Sequence, residues 1–553
     1  ADFDERINKI DGYLCELKEA QIRTGLHTFG LSPSAEAEAE LLLAIARFPG
    51  PGRLGLGRAI AKDLGIHLDP LTAREDDPLS PTDLRLLQQI RPDVPLRCQG
   101  DGITVIQDFA AACLEGKIAA PGNCTTKELS QIIAELTPRL KGCAHAERNN
   151  LLAALRGERI EAGPSGAPTR GRPEVLPTGR NFYSVDLRSV PTEAAWDLGR
   201  RSAEALLEQH LQIEGEHLTQ LAISIWGTST MRSGGDDVAQ VFAFMGIRPQ
   251  WDGSSRRMVG LELIPTSSLA RPRVDVTVRI SGFFRDAFPQ LLHWLDQANQ
   301  IVRQHTEGGV GCEVYGSAPG AYGAGLQGLI ESGNWEDRDD LAEAFLNWSK
   351  WHYRANAEPQ ADRLGLEKRL QKVQVVLHNQ DNREHDLLDS DDYYQFHGGM
   401  AAAVRRIKGS DPKLWFGDHS QPLNPKPKPL ALELDKVIRS RLLNPRWIEG
   451  MQRHGYKGAF EFAASLDYLF AYDACTDLVP DWAYSSVCER WLEDSKVQES
   501  IRNSNPWALR DMAERLLEAN NRGLWQNPKP NQLEFLKQLV LSSDENIEIN
   551  QGP

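Results

Sequence analysis

The sequence predicts an α/β multidomain protein with a helical N-terminal region, central α/β layers containing a substantially parallel sheet, and a helical C-terminal region. Three observations carry that class. The 553 residues exceed what one hydrophobic core accommodates. Apolar residues towards both ends recur with the helical period, and between them short apolar runs alternate with helical segments. Strands that alternate with helices pair in parallel, because each crossover helix returns the chain to the same end of the sheet.

The first region, 1–155, reads as helical. Ile7, Ile10, Leu14, Leu17 and Ile22 share one helical face, and 36–48 is a strong helix former with Leu41, Leu42, Leu43 and Ile45. Further helices are expected over 83–90, 102–114 and 126–140. From 160 to 195 the texture turns polar and rich in Pro and Gly, and a loop of that length is functional or disordered. Two α/β regions follow, 156–310 and 311–420. Their expected strands are 219–226, 258–264, 273–280, 312–315, 373–377 and 413–416. Their expected helices are 193–209, 236–245, 284–300, 339–353, 365–371 and 400–407. Beyond the Pro-rich link QPLNPKPKPL, region 421–553 is expected to be helical over 432–443, 445–454, 459–470 and 506–524, with a disordered tail after Leu541.

Composition removes several function classes. Lys and Arg total 62 against 77 Asp and Glu, a net charge of −15, which argues against a nucleic-acid scaffold or a binder of anionic membranes while allowing a local basic pocket. Eight cysteines without a CxxC pair are too sparse for a disulfide framework and read as reduced thiols. No apolar run approaches the roughly 20 residues of a transmembrane helix, and the charged start has no signal core, so a cytoplasmic protein is expected. The first residue is not Met and leads straight into a helical pattern, as expected of a fragment of something longer.

Nucleotide and metal motifs are lacking. The Gly116-Lys117 pair is followed by Ile118, without the glycines of a phosphate-binding loop, and the GxGxxG match at 50–55 follows a helix where a dinucleotide fold needs a strand. There is no HExxH, and DNREHDLLDSDD lacks the glycine of a calcium loop. Polar loops at the ends of expected strands remain. SIWGTSTMRSGGDD carries Trp226 and Arg232, and RISGFFRDAF carries Arg279, Phe283, Phe284 and Arg285. At the carboxyl edge of a parallel sheet such loops suit a carboxylate or phosphate, although each also reads as an ordinary turn. HNQDNREHDLLDSDDYYQFHGG gathers His378, His385 and His397 with six carboxylates, a donor mix suited to divalent cations and to proton transfer. The plain alternative is an acidic loop in which Asp391 or Asp392 caps a helix beginning at Tyr393. Arg180 and Tyr183 lie in the 163–186 loop, and GSAPGAYGAGLQ supplies glycines that let a backbone approach a ligand.

These segments, with GPSGAPTRGRPEVLPTGRNFYSVD and NPRWIEGMQRHGYKGAFEFAASLDYLF, resemble the family of the large porphyrinoid-binding subunit of aerobic cobaltochelatase (CobN) and the homologous H subunit of magnesium chelatase, over residues 13–525. HDLLDSDDYYQFHGG and GRNFYSVD are similar to the cobalt form. The family subunit is longer and carries an earlier His-Gly-x-Leu-Glu segment that is missing here, so the resemblance implies a carboxyl-terminal half. It further implies insertion of Co2+ into hydrogenobyrinic acid a,c-diamide on the way to cobalamin, with ATP hydrolysed by separate AAA+ and integrin-like partner subunits. Two other readings stand beside it: a magnesium chelatase H subunit taking Mg2+ into protoporphyrin IX, and a non-catalytic docking fragment for the ATPase subunits. Under the cobaltochelatase reading, His385, Asp389, Asp391, Asp392 and His397 are expected as proton acceptors, with His385, Asp391, Asp392 and His397 as the metal perch. Arg180, Arg232 and Arg285 are expected on the ring's carboxylates, and Tyr183, Trp226 and Phe283 on its face.

Overall fold

The computed structural model describes residues 25–50, 52–183, 185–305 and 310–551, together with Ile10, Tyr13, Leu14, Glu16 and Leu17. Its strands are β1 (Ala162–Pro164), β2 (Asn181–Tyr183), β3 (Gln220–Ile225), β4 (Ile247–Trp251), β5 (Met258–Leu263), β6 (Asp275–Ile280), β7 (Cys312–Gly316), β8 (Trp351–Tyr353), β9 (Gln360–Ala361), β10 (Val375–Gln380), β11 (Lys413–Asp418) and β12 (Lys426–Pro429). Eight of them form one sheet in the order β12-β11-β10-β3-β6-β7-β8-β9. The five in the middle, β11 to β7, run parallel, and β12, β8 and β9 add antiparallel edges.

The parallel core follows from composition. Every residue of β6, β7 and β10 is buried, as required of strands covered on both faces. Side chains alternate between two cores. Leu221, Ile223, Val375 and Leu377 face one, beside helices Glu193–Glu214, Asp236–Met245 and Pro289–His305. Ala222 and Val376 face the other, where the C-terminal helices supply Trp447, Phe462, Leu466 and Trp491. The helical C-terminal region therefore covers one face of the sheet and shares its core. A third core unites the N-terminal helices with Leu176 of the 160–195 segment.

The strand order places the functional edge. From β3 the chain moves outward through β6 to β7, then returns to lay β10 and β11 on the other side of β3. Strand order thus reverses between β3 and β10, and in such sheets the crevice at the carboxyl ends beside the reversal is where ligands bind.

Several expectations change. The 160–195 loop is ordered: β1 pairs in parallel with β2, and short 3-10 turns cover Pro168–Arg170 and Pro173–Val175. The Pro-rich link contains edge strand β12, a position where missing N–H groups cost least. The single helix expected over 284–300 is two, Gly282–Ala287 and Pro289–His305, divided at Pro289. The tail after Leu541, read as disordered, continues helix Gln532–Gln551, whose earlier turns place Leu536 and Leu539 in the C-terminal core. The seven described cysteines are free, and Cys15 lies outside the described residues. Among the described residues no helix is long and apolar enough to cross a membrane.

Candidate functional site

Two neighbourhoods occupy the carboxyl edge. The first lies at the β3/β10 reversal. β3 runs through Trp226 into helix Gly227–Ser233, which carries Arg232, and β10 runs into Asp381. Arg232 donates from Nε and Nη2 to both Asp381 oxygens, at 2.9 and 2.8 Å. Arg170 enters from the Pro/Gly-rich segment, pairs with buried Asp236 and donates to the His419 carbonyl. Asp237 accepts from Asn379 Nδ2 at 2.9 Å. Burial pushes Asp236 up to about 6 and Asp237 up to about 7. Burial also penalises charged Asp381, but the bond and charge of Arg232, with Arg170, outweigh it and hold the carboxyl below its ordinary value.

Beneath this crevice is an aromatic cluster. Trp226 packs on Phe396 with centroids 4.3 Å apart, and the His378 and His397 rings stack at 5.5 Å and 26°. Both histidines are fully buried; burial lowers His397 to about 4 and His378 further below its ordinary value. His397 Nε2 faces the Val376 carbonyl at 3.4 Å. Two expectations are corrected here. Trp226 is a core residue, not a face for a ring, and His397 is a buried neutral imidazole, out of reach of an incoming metal.

The second neighbourhood lies beside β6 and β7. Ser390, not Asp391 or Asp392, caps the turn Asp391–Tyr393, accepting from the Asp392 N–H at 3.3 Å. A π-helical turn, Tyr394–Gly398, then leads into helix Gly399–Lys408; such insertions occur often at functional sites. Burial and the neighbouring charge of Asp391 push Asp392 up to about 6, with Arg279 opposing. Asp391 accepts from Gln395 Nε2 at 2.9 Å, and Gln395 Oε1 accepts from the Ala324 N–H at 3.4 Å. The acidic turn is thereby tied to the glycine-rich loop after β7. Arg279, at the end of β6 and 2% exposed, donates to Ser349 Oγ at 2.8 Å and to the Gly323 carbonyl at 2.9 Å, with its guanidinium 4.6 Å from the Phe396 centroid. Burial lowers it to about 9. In the sequence reading Arg279 stands in its loop without a site role; the signal is an arginine at the penultimate position of the buried strand β6.

The other expected residues scatter. Arg285 is engaged by Asp286 at 2.7 and 2.9 Å and by the carbonyls of Ala318 and Ala321, so it is not a free cation for a ring carboxylate; Arg232 is likewise committed to Asp381. Phe283 is exposed at this edge. Asp389 pairs with Arg441 at 3.1 Å. His385 is exposed and lines a cavity of about 70 Å³ with Asn382, Arg383, Asp386 and Arg441, towards β11. His385, Asp391, Asp392 and His397 therefore do not form one perch, and among the described residues no three His, Cys, Asp or Glu side chains are arranged to hold a metal. Arg180 is half-buried, and the Tyr183 side chain lies outside the described residues.

Known proteins match this chain along its length. The profile of the family described as CobN/Magnesium Chelatase matches residues 1–309 and 304–532. The chain belongs to this family. It is 47% identical over 582 residues to the aerobic cobaltochelatase subunit CobN of Pseudomonas aeruginosa, covering 98% of this chain and 46% of the relative. It is 28% identical to the magnesium-chelatase H subunit of Chlorobaculum parvum, covering 99% of this chain and 45% of that protein. The catalytic subunit of cobaltochelatase from Mycobacterium tuberculosis superposes with a TM-score of 0.88 at 38% identity, over 98% of this chain and 47% of that structure. The chain thus spans about half the length of the relatives it matches. The chain's parallel-sheet edge gathers a carboxylate raised by burial, a buried arginine and a glycine-rich loop. Such an edge offers proton acceptance near neutral pH together with close backbone approach to a ligand.

Proposed function

We propose that this chain is the carboxyl-terminal half of the metal-inserting subunit of an ATP-dependent chelatase, and that the metal is Co2+ and the ring hydrogenobyrinic acid a,c-diamide. The observation that carries the chemistry is Asp392, whose carboxyl titrates near 6 beside Asp391 and next to the glycine-rich loop. When Co2+ enters a corrin, which binds metal as a monoanion, the inner N–H proton must leave the ring; a porphyrin taking Mg2+ loses two. A carboxylate whose proton affinity lies near the working pH takes and releases such a proton efficiently. Asp392 is the acceptor, Asp391 raises its proton affinity, and Gln395 fixes the turn against the loop. Cobalt and magnesium are substrates here, not resident cofactors.

Cobalt is favoured by similarity: 47% and 44% identity to two CobN subunits, against 28% and 33% to the H subunits of two magnesium chelatases. The absence of a phosphate-binding loop in the sequence agrees with ATP hydrolysis on AAA+ and integrin-like partner subunits. The test is cobalt insertion by the complete subunit with its partners, alongside fluorescence-quenching titrations with hydrogenobyrinic acid a,c-diamide and protoporphyrin IX. Tight binding of the first with cobalt insertion supports the reading; preference for protoporphyrin IX, or binding of neither ring, overturns it.

A further inference from the structure

Three exposed aromatic side chains stand at the carboxyl edge beside β6 and β7, each set against a glycine. Phe283 is 39% exposed, Tyr322 59% and Trp348 42%. A Cβ on Gly227 would meet Phe283 Cδ1 at 2.6 Å, one on Gly282 would meet Tyr322 Cδ1 at 2.5 Å, and one on Gly325 would meet Trp348 Cδ1 at 2.1 Å. Each ring thus occupies the space a side chain would need, and only glycine admits it.

The positions are further held. Tyr322 Oη donates to Asp286 at 2.6 Å, and the Arg285 guanidinium lies 5.5 Å from the Tyr322 centroid. Arg279 bonds the Gly323 carbonyl and Ser349 Oγ together, the residues directly after Tyr322 and Trp348. One buried guanidinium therefore joins the loop bearing Tyr322 to the helix end bearing Trp348. Rings restrained before binding lose little freedom on contact, which favours a stacking surface. Isolated exposed aromatics need no explanation, but three on glycine seats in one neighbourhood do. The loop that carries Tyr322 also receives Gln395 from the acidic turn, so the aromatic surface and the Asp391/Asp392 pair share a support.

We propose that Phe283, Tyr322 and Trp348 form the shelf on which the conjugated face of the macrocycle packs, in place of the buried Trp226. This inference rests on the chelatase reading above and names the contact residues of that site. Glycine-seated rings suit the conjugated face of the macrocycle, which needs area and orientation, and the neighbouring carboxylates suit the inner proton such a ring must lose.

The test titrates hydrogenobyrinic acid a,c-diamide into the complete subunit carrying Tyr322→Leu, Trp348→Leu, or both, with circular dichroism verifying the fold. Each single change is expected to raise Kd about tenfold, while Tyr322→Phe and Trp348→Phe, which keep a ring on the glycine, hold Kd within about threefold. Unchanged Kd in the folded Leu variants, with the wild type binding, overturns the shelf and leaves the chelatase reading standing. Leu variants that bind the ring normally but lose association between this half and the rest of the subunit assign the surface to that interface and also overturn the shelf. A wild-type subunit that binds no ring overturns the chelatase reading itself.

Discussion

Arg232 and Asp381 meet fork to fork across the β3/β10 reversal, 149 residues apart in sequence, with both donor distances under 3 Å. Asp381 is buried, and Arg170 adds a second positive charge nearby. The crevice where a doubly wound sheet usually receives a ligand is therefore crossed by the protein's own ion pair.

Removing one member of that pair exposes its cost. Asp381→Ala leaves Arg232 without its anion, and the expected loss is about 3–5 kcal/mol of folding stability. Asp381→Leu combined with Arg232→Met should recover much of it, since an apolar pair avoids an unpaired charge. Urea unfolding of the wild type and these variants measures both, and a loss below about 1 kcal/mol in Asp381→Ala would count against a closed pair.

Asp392 should govern the acid side of the pH profile. Its proton-accepting form declines as pH falls through about 6, so insertion by the wild type should fall there too. Asp392→Asn should slow insertion by about 10²-fold or more and remove that limb while leaving ring affinity near normal. Stopped-flow absorbance across pH 5 to 8 reads both quantities, and an unchanged limb in the variant would dismiss Asp392 as the acceptor.

Asp473 links stability to pH in the opposite direction from a salt-bridged carboxylate. Burial pushes it up to about 7, against bonds from the Val479 N–H at 3.0 Å and Tyr484 Oη at 2.8 Å. Between roughly pH 4 and 7 the folded state holds a proton that the unfolded chain has released, so this residue lowers stability as pH rises through that window. Asp473→Asn should flatten that part of the curve. Denaturant midpoints at several pH values for wild type and variant provide the comparison.

Gly227 should resist even a methyl group. A Cβ there would lie 2.7 Å from the Phe284 nitrogen as well as against the Phe283 ring, and backbone cannot yield as a flexible side chain does. Gly227→Ala is expected to cost about 1–3 kcal/mol, seen as a lowered melting temperature. A neutral effect would mean that the Phe283 seat is looser than the structure shows.

Much of the fold was legible because burial imposes a period on sequence. Helix Asp236–Met245 agrees with the expectation at both ends, and β3, β6, β10 and β11 fall within a few residues of their apolar runs. Edge elements were harder to see. β8, β9 and β12 are short and half-polar, so their pairing comes from neighbours and not from a pattern of their own.

The site divides in the same way. The acidic turn and the glycine-rich loop were visible because unusual local composition marks them. The fates of the individual side chains were not. Arg232 is neutralised by a residue 149 positions away, Trp226 disappears beneath Phe396, and His397 turns into the core. Tyr322 and Trp348, unremarkable in sequence, stand exposed on glycines. Sequence alone determined the α/β class and the segments that carry chemistry, since these depend on local composition and periodicity, and the resemblance of those segments to known ones carried the family. Only the tertiary structure decided which charges are free, which rings are exposed and which carboxylate titrates near neutrality, because each depends on partners and burial supplied by distant parts of the chain.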